Sequence, residues 1–310
     1  MTELSDKILD GSNTLIKFSS AELIKSYQKY LGLDVSSYFQ SINEISLCKS
    51  QISGFEYFYP LNVAGDSKLY EQLQKEQSYY KSDKWEYQTV LKYISEGDKV
   101  LEIGCGNGAF LKMLRAKSAD STGLELNESC VLDGEVNGLN IKNELIENHA
   151  LNNVNCYDVI VAFQVLEHIP NPFSFIKQCL SCMKKEGILI FAVPNNDSDI
   201  FKYTKPLKYR LDKQMRTLLK NMPPHHMGRW TSNGFVGLAK LLNLNLMSVH
   251  KEPLNDERFG HAAEILVSKN AGFLPNSLYR LLTRLLHKYL SMFPDRHTPG
   301  DSIVAVFKNK

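Results

Sequence analysis

Residues 100–108 (VLEIGCGNG) constrain the fold of this chain more than any other segment. A short apolar run ends in three glycines within five residues, and a helical pattern follows over residues 109–117. Glycines at such a turn let the backbone reverse tightly and let a ligand approach the main chain closely. The segment therefore predicts a strand, a glycine-rich turn and a helix, which is typical of a ligand-binding unit in an α/β sheet.

Strands and helices alternate along the chain after this unit. The apolar pattern predicts strands over residues 122–126, 158–165 and 187–193, with helices over residues 128–137 and 172–184 between them. The last two strands are continuous apolar runs, as expected of strands buried on both faces. Such alternation implies a parallel sheet with right-handed crossovers, so we expect an α/β protein with a doubly wound sheet.

The composition of the chain excludes several classes of protein. Of its 310 residues, 43% are hydrophobic and 23% are charged, which indicates a globular protein. A net charge of +2 is too balanced for a general nucleic-acid coat protein, and no nucleic-acid partner is expected. We expect neither a transmembrane segment nor a secretory signal, because no apolar run approaches roughly 20 residues. The six scattered cysteines indicate reduced thiols and hence a cytoplasmic protein.

Two carboxylates accompany the glycine turn. Glu125 ends the second strand about 20 residues further on, where a carboxylate can accept both hydroxyls of a ribose. Residues 104–109 also satisfy the looser dinucleotide fingerprint, so the glycines alone do not select the cofactor. Glu102 favours S-adenosylmethionine, because its charge repels a pyrophosphate and suits ammonium and sulfonium groups. The Tyr-x-x-x-Lys at residues 80–84 precedes the turn, which disfavours a nicotinamide enzyme of the short-chain type.

Four segments together resemble the class I S-adenosylmethionine-dependent methyltransferases. They are residues 101–108 (LEIGCGNG), 123–126 (GLEL), 157–160 (YDVI) and 163–169 (FQVLEHI). The set is similar to that of methyltransferases acting on small molecules, quinones, sugars and surface polysaccharides. The resemblance implies a seven-stranded, mostly parallel Rossmann-like sheet with an N-terminal helical extension and helical cap insertions. It also implies S-adenosylmethionine as cofactor and methyl transfer to a small molecule, chiefly to oxygen of a sugar-, polysaccharide- or quinone-like substrate.

The resemblance implies roles for individual residues as well. The glycine turn would wrap the methionine part of the cofactor, Glu125 would hold the ribose and Leu126 would flank the adenine. Gln164 would lie beside the cofactor near the reaction centre. No aspartate stands in the usual place for the adenine amino group, so that contact stays open. The predicted cofactor residues are Trp85, Glu102, Gly104, Cys105, Gly106, Gly108, Glu125, Leu126 and Gln164.

Three histidines are candidates for removing the proton of an oxygen nucleophile, because imidazole titrates near neutral pH. His168 follows a predicted central strand, at the sheet edge where ligands bind in open α/β folds. His225 and His226 follow two prolines, which stiffen a loop and help to aim side chains. The alternatives are a packing role for His168 and a surface loop for the pair. No third ligand stands at a recognisable spacing from the pair, so no metal is predicted.

The chain divides into four predicted parts. We expect residues 1–85 to form a mostly helical extension or lid and residues 86–200 to form the cofactor-binding core. Residues 201–235 would be a substrate-covering insertion. Residues 236–310 would complete the sheet and carry a helical insertion at about 255–296.

Several alternatives stay open at this stage. The basic residues within 202–220 either bind an anionic group or form a solvated helix face. The helix over residues 278–290 either packs on the core or a partner subunit, or makes a peripheral membrane contact. The alternative functions are a nucleic-acid or protein methyltransferase and a non-catalytic cofactor-binding module of the same fold, since one fold hosts many activities.

Overall fold

The structure is a computed structural model, and it describes residues 12–74, 84–198, 212–253, 260, 263–264, 266–267, 274–292 and 300–310. No helix within these ranges is long and apolar enough to span a membrane. Three expectations fall partly outside the described residues. They are the N-terminal part at residues 1–11 and 75–83, the basic segment up to residue 211, and much of the predicted helical insertion after residue 253.

Two sheets are formed by the described strands. The strands are β1 (Ser12–Ser19), β2 (Glu44–Ser50), β3 (Glu56–Tyr59), β4 (Lys99–Ile103), β5 (Asp120–Leu124), β6 (Ile141–Lys142), β7 (Tyr157–Phe163), β8 (Met183–Pro194), β9 (Gly228–Arg229), β10 (Leu244–Lys251) and β11 (Ser302–Asn309). The larger sheet has seven strands in the order β10-β11-β8-β7-β4-β5-β6. It is parallel from β8 to β6, while β11 pairs antiparallel with both β8 and β10. The prediction of a seven-stranded, mostly parallel sheet is confirmed.

The central strands of this sheet are apolar on both faces. Along β7, Ile160 and Ala162 pack into one hydrophobic cluster. Val159, Val161 and Phe163, which alternate with them, pack into a second cluster on the opposite face. Both faces are therefore covered, which explains why this strand is a continuous apolar run rather than an alternating one.

Ten α-helices accompany the strands within the described residues, and four of them begin at a side-chain cap. The helices are α1 (Ser20–Leu31), α2 (Ser67–Gln74), α3 (Trp85–Val90), α4 (Ala109–Ala116), α5 (Glu128–Val136), α6 (Ile146–Ala150), α7 (Pro172–Cys182), α8 (Asp212–Leu219), α9 (Ser232–Leu241) and α10 (Asn276–Met292). The Asn171 side chain caps α7 by accepting from the Ser174 amide at 3.2 Å. Thr231 caps α9 in the same way. The loops that precede α4 and α7 thus leave the sheet at its carboxyl edge, where ligands bind in such folds.

The N-terminal part is not mostly helical, which corrects the expectation for residues 1–85. Its described residues form three strands of an antiparallel sheet in the order β1-β2-β3-β9, which β9 from a later part of the chain completes, together with α1 and α2. The pairing joins distant residues, since Ser19 lies opposite Glu44 and Tyr57 lies opposite Gly228. Pairing over such separations leaves no local pattern in the sequence, because each strand is stabilised only by partners elsewhere in the chain.

The N-terminal part and the segment after α8 share one hydrophobic core. Residues of α1, β2 and β3 pack there with Leu219, Met222 and Met227. The Tyr27 hydroxyl donates to the carbonyl oxygens of Leu219 at 2.6 Å and Met222 at 2.9 Å. The backbone that leads to residues 223–229 is therefore positioned by the N-terminal part.

Helix α10 leaves part of its apolar face exposed. Leu290 is buried beside Ala263, and Leu286 packs against them. Leu281 and Leu285 are each more than half exposed, at 51% and 56%. The leucines of α10 are therefore only partly packed against other described residues. A peripheral membrane contact of this helix stays a prediction.

Candidate active site

The glycine turn between β4 and α4 adopts a conformation that favours glycine. Gly104 has a φ of +71° and Gly106 a φ of +52°. The amides of Gly104 and Cys105 donate to the Leu124 carbonyl oxygen at 2.8 and 3.0 Å. A Cβ atom at position 104 would lie 2.5 Å from Cγ2 of Val165. The turn is thus held against β5, and its first position has no room for a side chain.

Glu102 lies inside β4, beneath this turn. It is 2% exposed, and its Oε2 atom has no hydrogen-bond partner among the described residues. Burial raises the pKa of its carboxyl group well above the ordinary value, while Lys84 lowers it and Glu125 raises it further. A buried carboxylate without a partner costs free energy that a bound cation offsets. Glu102 therefore fits the positively charged ammonium group of S-adenosylmethionine.

Glu125 follows β5 directly and faces the turn. Its Oε2 atom accepts from the Gly106 amide at 2.8 Å, and its Oε1 atom accepts from the Leu126 and Asn127 amides at 2.9 Å each. A carboxylate offers about four acceptor positions. Acceptor capacity therefore remains for a ribose hydroxyl, although the backbone already orients the group.

A cavity of about 600 Å³ opens beside the turn, which is within the usual size range of ligand pockets. Its wall includes residues of the sheet edge and also Gly65, Asp66 and Tyr70 of the N-terminal part. The predicted residues that line it are Glu102, Gly104, Cys105, Gly106, Glu125, Leu126, Gln164, His168, His225 and His226. The structure thus brings nearly all predicted cofactor residues and all three histidines to one cavity.

Two predicted cofactor residues do not line this cavity. Trp85 is partly buried against the hydrophobic cluster of α3 and α4, and the cavity is lined instead by Lys84 and Tyr87 on either side of it. Gly108 faces Leu139 and not the cavity. A Cβ atom at position 108 would lie 2.4 Å from Cδ1 of Leu139. Its φ of +73° and this contact give it a role in close packing of the helix against its neighbours.

Gln164 occupies a strained position at the end of β7. Its φ is +56°, a left-handed conformation that is uncommon for residues other than glycine. Its amide donates to the Ala192 carbonyl oxygen at 2.7 Å, and its side chain donates to Glu86 at 3.2 Å. Such strain clusters at functional sites, and the side chain lines the cavity as predicted.

The three predicted histidines lie close together although they belong to two segments that are distant in the sequence. His168 lies in the loop after β7, and His225 and His226 lie in the segment after α8. The three ring centroids lie 4.3 to 4.8 Å apart. Nδ1 of His168 donates to the His225 carbonyl oxygen at 2.7 Å. Burial lowers the pKa of His168 to about 4 and that of His225 to about 3, so both rings are neutral near pH 7.

Glu167 is a site residue that the sequence analysis did not single out. It is 1% exposed and lines the cavity, and neither carboxylate oxygen has a hydrogen-bond partner among the described residues. Burial raises the pKa of its carboxyl group to about 8. Its Oε1 atom lies 3.9 Å from Nε2 of His168. The sequence could have indicated Glu167 as a site residue, because it precedes His168 in the loop that follows the buried strand β7.

The sequence analysis placed Leu126 beside the adenine but left the partner of the adenine amino group open. Leu126, which is 52% exposed, lies in the wall of the cavity with residues 144–147 at the start of α6. The Glu144 carboxylate is already bound by Nδ1 of the buried His149 at 2.7 Å. Because the Glu144 carboxylate is already paired, the backbone of residues 144–147 and the other side chains of this segment are the candidates for contact with the adenine.

The fold and the cavity are those of a nucleotide-cofactor enzyme with a Rossmann-like sheet. A family model described as a methyltransferase domain matches residues 74–248, more than half of the chain. The chain belongs to this methyltransferase family. Together with the cavity, this match makes the protein a methyltransferase that depends on S-adenosylmethionine.

Curated relatives agree with this assignment, and one solved structure shares the fold. The chain is 26% identical over 182 residues to a ubiquinone biosynthesis O-methyltransferase of Vibrio campbellii, covering 54% of this chain and 75% of the relative. It is 28% identical over 181 residues to a ubiquinone biosynthesis O-methyltransferase of Coxiella burnetii, with the same coverage. A SAM-dependent methyltransferase from Archaeoglobus fulgidus shares the fold, with a TM-score of 0.51 and 15% identity over 72% of this chain and 91% of that one.

Proposed function

We propose that this methyltransferase transfers a methyl group to a hydroxyl oxygen of a small organic acceptor, of the quinol, sugar or polysaccharide type. The observation that carries the proposal is the wall of the cavity, where Glu167 and three imidazoles lie beside Gln164. Oxygen acceptors need a group that takes up their proton, whereas the cofactor supplies the electrophile.

The chain's own residues would hold the cofactor in a defined orientation. Glu102 would bind its ammonium group, the backbone of Gly104 to Gly106 would follow its methionine part, and Glu125 would hold its ribose. When bound, S-adenosylmethionine supplies a methyl group on a positively charged sulfur. Gln164, which Glu86 orients at 3.2 Å, would line the space where the acceptor approaches.

The proton of the acceptor hydroxyl would pass to the groups around His168. Burial lowers the pKa values of His168, His225 and His226, so the rings are neutral and their free nitrogens are available, although each ring is a weaker base than an exposed imidazole. Glu167 is a stronger base, since its pKa is raised to about 8. Groups that titrate near the working pH are the most effective general bases.

We also propose that residues 1–85 and 201–235 form the cover of the acceptor site. Gly65, Asp66 and Tyr70 of the first segment and His225 of the second line the same cavity. The Tyr70 hydroxyl donates to the His225 carbonyl oxygen at 3.3 Å, which ties the two segments together. A closed cover excludes water and selects small acceptors over macromolecules.

The named relatives favour the oxygen acceptor over the alternatives. Both are ubiquinone biosynthesis O-methyltransferases, at 26% and 28% identity. At this identity we infer the type of acceptor atom from the relatives and not the identity of the acceptor molecule.

Transfer of labelled methyl groups from S-adenosylmethionine would test the proposal. We expect methyl ethers to form from a catechol, a hydroquinone or a sugar, and no product from an amine, a peptide or an oligonucleotide. Glu102→Gln serves as the control that abolishes cofactor-dependent label. Product formed only on nitrogen, carbon or a macromolecule would contradict the proposal.

A further inference from the structure

The three histidines of the cavity present ring nitrogens to one another. Each of His168, His225 and His226 offers one nitrogen, and these three atoms lie within 4.8 Å of one another. His225 and His226 are 7% exposed each, so the nitrogens lie inside the protein and not on a flexible surface loop. Three such donors at one point are a sufficient basis for binding a metal ion.

Hydrogen bonds fix the same tautomer in all three rings. Nδ1 of His168 faces the His225 carbonyl oxygen at 2.7 Å, and Nδ1 of His225 faces the Lys220 carbonyl oxygen at 2.7 Å. A carbonyl oxygen only accepts, so both Nδ1 atoms carry the proton. The lone pair of each neutral ring is therefore on Nε2.

The third ring is held through a chain of amides. Asn196 donates to the Pro194 carbonyl oxygen at 3.3 Å, and its own oxygen accepts from the Asn221 amide nitrogen at 2.8 Å. The Asn221 oxygen therefore faces Nδ1 of His226, at 3.0 Å. His226 is thus also protonated on Nδ1. Outer partners of this kind, which orient the ring through its second nitrogen, accompany metal-binding histidines.

The remaining donor atoms of the cluster are unsatisfied. Nε2 of His225 and both carboxylate oxygens of Glu167 are buried without a hydrogen-bond partner among the described residues. Oε1 of Glu167 lies 3.9 Å from Nε2 of His168. Buried acceptor atoms without a donor cost free energy. A cation among them would satisfy all of these atoms at once.

We propose that His168, His225, His226 and Glu167 bind one divalent transition-metal ion of the Zn²⁺ type. Imidazole nitrogens with one carboxylate are a ligand set that Zn²⁺ and Co²⁺ prefer, whereas Mg²⁺ and Ca²⁺ prefer oxygen ligands. Bonds of about 2.0–2.1 Å would require the ring nitrogens to approach each other by a small side-chain movement.

The sequence did not reveal this site because the third ligand is distant. His168 and His225 are 57 positions apart and meet only through the fold. The site lies in the wall of the cavity, so the ion would stand beside the acceptor hydroxyl and weaken its O–H bond. In the metal-bound protein the four ligands would act through the ion, and only the metal-free protein would use them as proton acceptors. The role of the ion beside the acceptor rests on the proposed function, whereas the binding of the metal does not.

Titration of metal-free, full-length protein with Co²⁺ would test the site. We expect one equivalent to bind and to give the strong visible absorption of tetrahedral Co²⁺. Charge-transfer absorption from a thiolate should be absent, which separates this site from the free cysteines. Calorimetry with Zn²⁺ would measure the same stoichiometry and an affinity tighter than about 10 µM.

Three variants locate the ion. His226→Ala should weaken binding at least about 100-fold, and Asn221→Ala, which removes the outer partner, about 10- to 100-fold. His250→Ala is the matched control, because His250 bonds to Tyr93 away from the cavity. Binding of S-adenosylhomocysteine reports that each variant is folded, and His168→Gln replaces His226→Ala if the latter does not fold.

The outcomes separate this inference from the proposed function. Folded wild-type protein that binds neither Co²⁺ nor Zn²⁺ tighter than about 10 µM overturns the site. So does binding that His226→Ala and His168→Gln leave unchanged, or that His250→Ala weakens equally. Metal binding without methyl transfer to hydroxyl acceptors overturns the proposed function and leaves the metal site standing.

Discussion

The side chain of Gln164 donates a hydrogen bond from Nε2 to Oε1 of Glu86, over 3.2 Å. The same oxygen accepts a second hydrogen bond from the Ser302 hydroxyl at 2.8 Å. Glu86 is 7% exposed, so one buried carboxylate connects α3, the strained end of β7 and the start of β11. The position of Gln164 in the cavity therefore depends on a residue of the helix that precedes the sheet.

We expect Glu86→Ala to destabilise both the fold and the cofactor site. The substitution leaves the buried Ser302 hydroxyl and the partly buried Gln164 amide without this acceptor, which should lower the free energy of unfolding by about 1–3 kcal/mol. Affinity for S-adenosylhomocysteine should fall as Gln164 loses its orientation. Urea unfolding and calorimetry measure the two effects. Glu86→Gln keeps an acceptor oxygen and is the control; equal losses in both variants would contradict this role.

Glu102→Gln should stabilise the ligand-free protein and weaken cofactor binding. Because burial raises the pKa of Glu102 above its unfolded value, its contribution to stability is complete below about pH 4.5 and is lost as pH rises toward the folded pKa. A glutamine does not titrate, so the variant should be more stable than wild type at pH 7. The difference from wild type should shrink on acidification.

Thermal unfolding with and without S-adenosylhomocysteine measures both parts of this prediction. The ligand should raise the melting temperature of wild type more than that of the variant, because the ammonium group loses its charged partner. A variant that is less stable than wild type at pH 7, or that gains equally from the ligand, shows that Glu102 is not held as an unpartnered carboxylate.

Gly104→Ala should damage the site through a clash, and Gly97→Ala is its matched control. Both glycines have a positive φ, +71° and +79°. Only position 104 meets a neighbour, since a Cβ at 97 has nothing within 4 Å and a Cβ at 104 lies 2.5 Å from Val165. Val165 is β-branched, so its χ1 angle is restricted and the side chain cannot easily rotate away from the added methyl group.

We expect Gly97→Ala to cost about 1 kcal/mol of strain, and Gly104→Ala to cost about 1–3 kcal/mol more. Only Gly104→Ala should also lower the affinity for S-adenosylhomocysteine. Denaturant unfolding and calorimetric titration of both variants check this. If Gly104→Ala lowers the free energy of unfolding no more than Gly97→Ala does, the predicted clash with Val165 does not occur.

Much of the cofactor side could be predicted because it is local. Glu102, the glycines and Glu125 belong to one strand–turn–helix unit and the strand that follows it, so spacing alone brings them together. The sheet was predictable for the same reason, since its buried strands are continuous apolar runs. Trp85 and Gly108 do not line the cavity, because spacing does not say which side of a helix or turn faces a cavity.

The acceptor side could not be predicted, because contacts between distant segments build it. The meeting of His168 with His225 depends on the segment after α8, which the N-terminal sheet supports through β9. The β3–β9 pairing has just two residues in each strand, Glu56 with Arg229 and Tyr57 with Gly228. No periodicity can be detected over so short a segment.

Tyr27→Phe should loosen the cover of the cavity without changing the cofactor loop. The hydroxyl of Tyr27 donates to two carbonyl oxygens of the segment that leads to His225, those of Leu219 at 2.6 Å and Met222 at 2.9 Å. Both carbonyl oxygens also accept backbone amides, that of Leu219 from Met222 at 3.1 Å and that of Met222 from His225 and His226 at 3.0 and 3.1 Å, so neither loses its last partner. We therefore expect a loss of about 0.5–1.5 kcal/mol in unfolding free energy, the usual net value of an intramolecular hydrogen bond.

The effect of Tyr27→Phe should be larger on turnover than on binding of S-adenosylhomocysteine, because the contact supports His225 and His226 and does not touch the glycine turn. Tyr30→Phe in the same helix is the control; Tyr30 is only partly buried and stacks with Lys29. Urea unfolding and methyl transfer to the best hydroxyl acceptor measure both effects. Loss of cofactor affinity equal to the loss of turnover would place Tyr27 in general folding rather than in the cover.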